Sequence, residues 1–239
     1  MPQPTEDGFE VVMQALDDLQ QVAFIFEEFE NSDPPSDFAC RVKVMLKDAV
    51  LPQDDKAQSK GRDTQCELFV AATCARAGLR PVFAEPDLRC TLARWELGVA
   101  VKRVKSVSKL KHRLQEAAKQ VKRSTLPGVV VADISMALNP QNSCDMQMES
   151  VQSLGQHVEE DAERLLTTDM HLRDALVRSG VLGVVLIVHQ VRLDRQRGWE
   201  LGSVTVPLLL HPYNQLRTRQ CKEFYQRFEA GFLVSADGG

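Results

Sequence analysis

The 239-residue chain has no CxxC pair, no glycine-rich phosphate loop, no long apolar run and no overall basic excess. Each absence removes a class of protein. The six cysteines, at positions 40, 66, 74, 90, 144 and 221, show neither paired nor even spacing. They read as reduced, mostly buried thiols of a cytoplasmic protein, not as a disulfide framework or a structural zinc site. Without a phosphate loop, the NTPase reading fails. The longest apolar run, Val181 to Val188, is far short of the roughly 20 residues a membrane span needs. The N-terminus is acidic and proline-bearing where a secretory signal would be basic and then apolar, so none is expected. The five histidines show no metal-ligand spacing, and His189, within an apolar stretch, is expected in the core. A net charge of −4 announces no nucleic acid by bulk charge.

What is present is a folded chain, 44% hydrophobic and 26% charged, long enough for one large domain or a core with elaborations. Residues 9–30 carry Phe9, Val12, Met13, Leu16, Leu19, Val22, Ala23 and Phe26 at three- and four-residue steps, which predicts an amphipathic helix. Pro34-Pro35 breaks it, and a second helix is expected over about 37–50. A polar loop follows over 53–61. Arg62 to Ala77 reads as a helix with Gly78 as its C-cap. Three short strands are expected next, at 81–85, 88–93 and 97–102. A helix over 106–124, ended by Pro127-Gly128, and a buried valine-rich strand over 129–134 complete an α-β-β-β-α-β order. After a loop at 139–143, residues 149–179 read as mostly helix and 181–191 as an apolar strand. Residues 199–210 are expected to pair with that strand through a turn at 194–198, and 213–228 form the last helix. No Gly/Ser-rich linker or internal repeat divides the chain. It parses as an N-terminal helical segment (1–55), a core (56–135) and a C-terminal extension packed on that core (136–239).

Chemistry concentrates between Glu67 and Lys102. Alternation along 81–87 puts Phe83, Glu85 and Asp87 on one face, and alternation along 97–102 puts Gly98, Ala100 and Lys102 together. Small residues beside a lysine leave space for a cation and a phosphate, or for a packed helix. Phosphodiester hydrolysis needs a hard cation held by carboxylates, together with a cationic group near the attacking water or the equatorial oxygens. Asp87 is the first candidate metal ligand, Glu67 and Glu85 compete to be the second, and Lys102 is the candidate catalytic cation.

Arg62-Asp63-Thr64-Gln65-Cys66-Glu67-Leu68-Phe69, Ala84-Glu85-Pro86-Asp87 and Gly98-Val99-Ala100-Val101-Lys102-Arg103 together resemble the PD-(D/E)XK superfamily of restriction-endonuclease-like nucleases. The resemblance covers about residues 60–135. It implies an α/β fold with a restriction-endonuclease-like αβββαβ core, N-terminal helices and C-terminal strand and helix additions. It also implies a Mg²⁺ or Mn²⁺ cofactor and hydrolysis of nucleic acid, DNA before RNA. The family's aspartate maps to Asp87 and its lysine to Lys102, while its second acidic position holds Ala100. Some members move that acid to the first core helix, where Glu67 stands, and some add a glutamine from the following helix, where Gln120 stands. The alternative is an inactive nuclease-like protein that binds nucleic acid or another protein in a defence or repair system.

The second signal is charge. Residues 102–123 hold nine basic residues against the single acid Glu116, a local excess of +8. Such segregation suits a phosphate backbone. Arg103, Lys105, Lys109, Lys111 and Arg113 are the expected contacts. The N-terminal helix has the opposite sign, with Asp17, Asp18, Glu27, Glu28 and Glu30 against no Lys or Arg. It is the candidate surface for a homodimer or a protein partner.

Overall fold

The computed structural model describes residues 6–31, 33–47, 59–138, 151–194, 198–211 and 214–232. The polar loop expected at 53–61 lies largely outside these residues, and the loop at 139–143 and most of the turn at 194–198 lie outside them too. The described elements are α1 (Glu6–Asn31), α2 (Phe38–Met45), α3 (Lys60–Arg76), β1 (Val82–Ala84), β2 (Asp87–Leu92), β3 (Trp95–Arg103), α4 (Val107–Ser124), β4 (Gly128–Asp133), α5 (Ser135–Leu138), α6 (Val151–Thr168), α7 (Met170–Arg178), β5 (Val181–Asp194), β6 (Gly198–Leu209) and α8 (Gln215–Phe232). The chain is thus a mixed α/β protein, and α3 to β4 follow the α-β-β-β-α-β order.

The six strands form one mixed sheet in chain order. β1, β2 and β3 are an antiparallel meander. β4 joins β3 in parallel and β5 joins β4 in parallel. β6 closes the edge as a long antiparallel hairpin with β5. Residues on both sides of position 135 therefore share one sheet.

Alternation along the strands builds two cores. On one face Leu88, Cys90, Leu92, Leu97, Val99, Val101, Val129 and Val131 pack with residues of α1, α3 and α8. On the other, Ala100, Val130, Ala132, Val184 and Leu186 pack with α4, α6 and α7. The central strands are apolar on both faces because both faces are covered.

Local chemistry sets the helix ends. The Ser59 side chain caps α3 by accepting the Arg62 backbone N–H, and Gly78 follows with φ +70°. Asp169 breaks the expected 149–179 helix in two by capping α7 through the Leu172 N–H at 3.0 Å. Helix α2 ends at Met45, short of the expected 50.

Helix α1 is tied to α3 by a buried, two-pronged pair in which Arg62 donates to both carboxylate oxygens of Asp18, the Nη2–Oδ2 contact being 2.6 Å. Glu28 accepts from Arg76 of α3 at 3.2 Å. Part of the acidic character expected to serve a partner is thus spent inside the fold. The outward side of α1 exposes Val12, Leu16, Leu19 and Phe26. Among the described cysteines, Cys66, Cys74, Cys90 and Cys221 are free and buried, and Cys40 is free and exposed. Among the described residues, no helix is long and apolar enough to cross a membrane.

Candidate active-site cleft

Asp87 does not end the first strand; it begins the second. Ala84 pairs with Asp87 across a two-residue turn, Glu85-Pro86. The hairpin breaks the alternation on which a common face for Phe83, Glu85 and Asp87 depended. Leu88, Cys90 and Leu92 point into the α3-side core, so Asp87 lies on the opposite face, with Ala100 and Lys102.

There both oxygens of the Asp87 carboxylate accept hydrogen bonds, Oδ1 only one. Its Oδ2 accepts the backbone N–H of Val101 at 2.8 Å and the Lys102 ammonium at 3.2 Å. Its Oδ1 accepts the side-chain amide of Gln120, from α4, at 3.0 Å. Gln120 also donates to the Pro86 carbonyl at 3.2 Å, which ties α4 to the hairpin turn. Burial pushes the Asp87 carboxyl above its ordinary value; the Lys102 charge and the three donated hydrogen bonds pull against that. Lys102 stands behind Asp87 with its side chain 12% exposed, and also donates to the Val101 carbonyl at 2.7 Å.

Glu67 reaches the same cleft from α3. Its carboxylate pairs with the Arg41 guanidinium of α2. Burial raises its pKa, the nearby Asp87 charge raises it further, and Arg41 and Lys102 lower it. Glu85 sits at the exposed turn and accepts from Arg123 at 2.9 Å.

The space expected above Gly98 and Ala100 is filled. A Cβ on Gly98 would lie 2.8 Å from Pro86 Cδ and 3.3 Å from Ser124 Oγ. Ala100 is fully buried in the core that α4 covers. The small residues admit a helix, not an ion. Nor does Glu67 reach that space, because α3 packs on the other face of the sheet.

The open volume lies beside it. A cleft of about 750 Å³ runs between α2, α3, α4 and the β1–β2 hairpin, lined by Arg41, Lys60, Glu67, Phe83, Asp87 and Arg113 among others. Sequence reasoning missed Arg41 and Lys60, and named Phe83 only as a neighbour of Glu85 and Asp87 on one strand face. None sits in a motif, and only the packing of α2 beside α3 and β1 brings Arg41 to Glu67. Gln120 also lines the cleft, and its Oε1 is buried with no hydrogen-bond partner among the described residues. No group of three or more His, Cys, Asp or Glu side chains stands together as a metal cluster among the described residues.

The basic residues divide. Arg103 is buried, only 9% exposed, with its guanidinium against the Met136 sulfur. Lys105 is half-buried and Lys109 exposed. Lys111 pairs with Asp169 at 2.5 Å. Arg113 pairs with Glu116 at 3.0 Å and approaches Asp63 of α3 at 3.9 Å. Lys119, Lys122 and Arg123 are exposed further along α4. The outward basic face is therefore centred on Lys109, Lys119 and Lys122, not on the start of the run.

Compared with protein-family models, with curated proteins and with solved structures, the chain matches none.

Proposed function

We propose that the chain is a metal-dependent nuclease that hydrolyses the phosphodiester backbone of DNA in the cytoplasm, on a restriction-endonuclease-like core over residues 56–135. The observation that carries this is the engagement of one carboxylate, Asp87, by Lys102 and Gln120 at the wall of a cleft that also receives Glu67.

The donor chemistry fits Mg²⁺ or Mn²⁺. Mg²⁺ is commonly held by one or two carboxylates and keeps several waters, so two acids without a third suffice. The orphaned Gln120 Oε1 adds a neutral oxygen. Burial raises the Glu67 pKa and the Asp87 charge raises it further; that second contribution is the repulsion a cation would relieve. Asp87 and Glu67 would hold the ion, with Glu85 at the rim. When bound, it would supply an activated water and neutralise charge developing on the phosphate. The chain's own residues do the rest. Lys102 and the Val101 N–H fix the Asp87 carboxylate in one orientation. Gln120 locks the other oxygen and holds the hairpin against α4. Lys109, Lys119 and Lys122 offer a positive face for the flanking backbone.

The test is incubation of purified protein with supercoiled plasmid and Mg²⁺ or Mn²⁺. The nuclease reading expects nicked or linear product, lost in Asp87→Asn and Lys102→Met. No cleavage, together with no metal binding by calorimetry, would sink it.

The second reading is an inactive nuclease-like module that binds nucleic acid or a protein partner in a defence or repair system. It is favoured by Ala100 at the second acidic position and by Arg41 already neutralising Glu67. Its protein partner would meet α1 along Val12, Leu16, Leu19 and Phe26, and would carry basic residues to face the acids beside them. Salt-dependent DNA binding without cleavage would favour nucleic acid over protein as its target.

A further inference from the structure

We infer that Arg41 is a built-in counter-cation of Glu67 that a metal ion must displace, and that once displaced it becomes a ligand of the substrate phosphate. This rests on the nuclease reading, because it takes Glu67 as a metal ligand.

Three observations carry it. First, Arg41 comes from α2, outside the α3-to-β4 segment, yet its guanidinium contacts Glu67, a cleft carboxylate distinct from the Asp87 that Lys102 binds. Second, the guanidinium lies over the Phe83 ring, 4.0 Å from its centroid. The ring holds the group at the cleft wall by cation–π attraction even when the carboxylate is taken away. Third, among the described residues Glu67 is its only side-chain acceptor, through Nη1, and the side chain is 27% exposed. A guanidinium has five N–H donors in a rigid fork, so most remain to be used from the cleft side.

Electrostatics supplies the sequence of events. A divalent ion and a guanidinium compete for the Glu67 carboxylate, and each repels the other. Binding of the ion frees Arg41 while Phe83 keeps it in the cleft. The anion that then accompanies the metal is the phosphodiester, whose paired oxygens match the guanidinium fork. Lys60 and Arg113 line the same cleft, Lys60 adding a second cation on the α3 side and Arg113 one already paired with Glu116. Arg41 thus protects an otherwise repulsive acid pair in the free protein and positions substrate in the complex.

The experiment uses the full chain and two readouts. Calorimetric titration with Mn²⁺ measures the ion alone. Fluorescence anisotropy of a labelled DNA duplex in Ca²⁺ measures phosphate binding without turnover. Arg41→Met keeps an apolar stem against Phe83 and removes the charge. It is expected to bind Mn²⁺ roughly three- to tenfold more tightly, the scale of a partly exposed ion pair, and to bind the duplex about tenfold more weakly. Arg41→Lys keeps the charge without the fork, so Mn²⁺ affinity should stay near wild type while duplex affinity falls. Unchanged Mn²⁺ affinity in Arg41→Met, or unchanged duplex affinity in either variant, overturns the inference. If Arg41→Met does not fold, Arg41→Lys decides by its duplex affinity. If wild type binds Mn²⁺ and Asp87→Asn abolishes it while Arg41→Met changes nothing, only the Arg41 inference falls. If neither wild type nor Arg41→Met binds Mn²⁺, the nuclease reading falls with it. Binding in Arg41→Met alone is the strongest support, because the arginine would then be what keeps the ion out.

Discussion

The Asp87 carboxylate accepts the backbone N–H of Val101, a residue of the neighbouring strand, at 2.8 Å. A side chain at the first position of β2 is thereby anchored to the main chain of β3. Its orientation does not depend on a metal.

That anchoring makes Asp87→Asn a clean test. The amide oxygen can still accept from Val101, so the fold should hold. The charge that draws Lys102 and would hold a cation is gone. Plasmid nicking should fall at least about a hundredfold, while the melting temperature falls modestly, because Lys102, 12% exposed, loses its carboxylate partner. Glu67→Gln should also abolish metal-dependent cleavage. Glu85→Gln should only reduce it, since Glu85 is at an exposed turn and paired with Arg123. Wild-type nicking rates in Asp87→Asn, from a gel time course, would remove Asp87 from the site.

Gly98→Ala should destabilise by about 1–3 kcal/mol, the cost of overpacking a filled site. The new methyl would meet Pro86 Cδ at 2.8 Å and Cγ at 3.1 Å. Pro86 is in the turn that presents Asp87, so the hairpin must shift and cleavage should fall as well. Urea denaturation measures the first effect. An unchanged midpoint would mean that the turn yields freely.

Asp17 carries a pH prediction. Its Oδ1 is buried without a hydrogen-bond partner among the described residues, and Oδ2 accepts only from Gln21, at 3.1 Å. Burial raises its pKa, helped by the Asp18 charge and opposed by His189. For an acid whose folded value lies above its unfolded one, the native state holds the proton more firmly. Stability is therefore lost as pH rises from the unfolded value through the folded one. Asp17→Asn removes this penalty, so the variant should be more stable than wild type at pH 8. The difference should shrink towards pH 4. Chemical denaturation across that range checks it, and a difference constant with pH would refute the assignment.

The basic helix should act through its exposed members. Lys109→Ala, Lys119→Ala and Lys122→Ala together should weaken DNA binding for all sequences. They should also flatten the plot of log affinity against log salt, by roughly 0.7–0.9 for each phosphate that is no longer neutralised. Arg103→Ala should instead destabilise the fold, because Arg103 is buried. Lys111→Ala should have a smaller binding effect, since Asp169 already holds that lysine. Anisotropy titrations at several salt concentrations separate the three outcomes.

The sequence by itself determined the elements and their order. Apolar periods, caps and breakers are local properties, so the α-β-β-β-α-β run and the strand pair at 181–209 were legible from residues such as Gly78 and the Val129–Val131 stretch. The grouping of Asp87 with Lys102 was legible too, because both lie at the ends of short strands. Three things only the tertiary structure decided. The turn at Glu85-Pro86 moved Asp87 from the first strand to the second, since alternation along a chain cannot count residues through a hairpin. The small residues Gly98 and Ala100 proved to be seats for Pro86 and α4, because an empty space and a filled one have the same sequence. The arginine at Glu67 comes from 26 residues away on a helix with no motif. Its place is set by the packing of α2 beside α3 and β1, and no local pattern records a pairing of that kind.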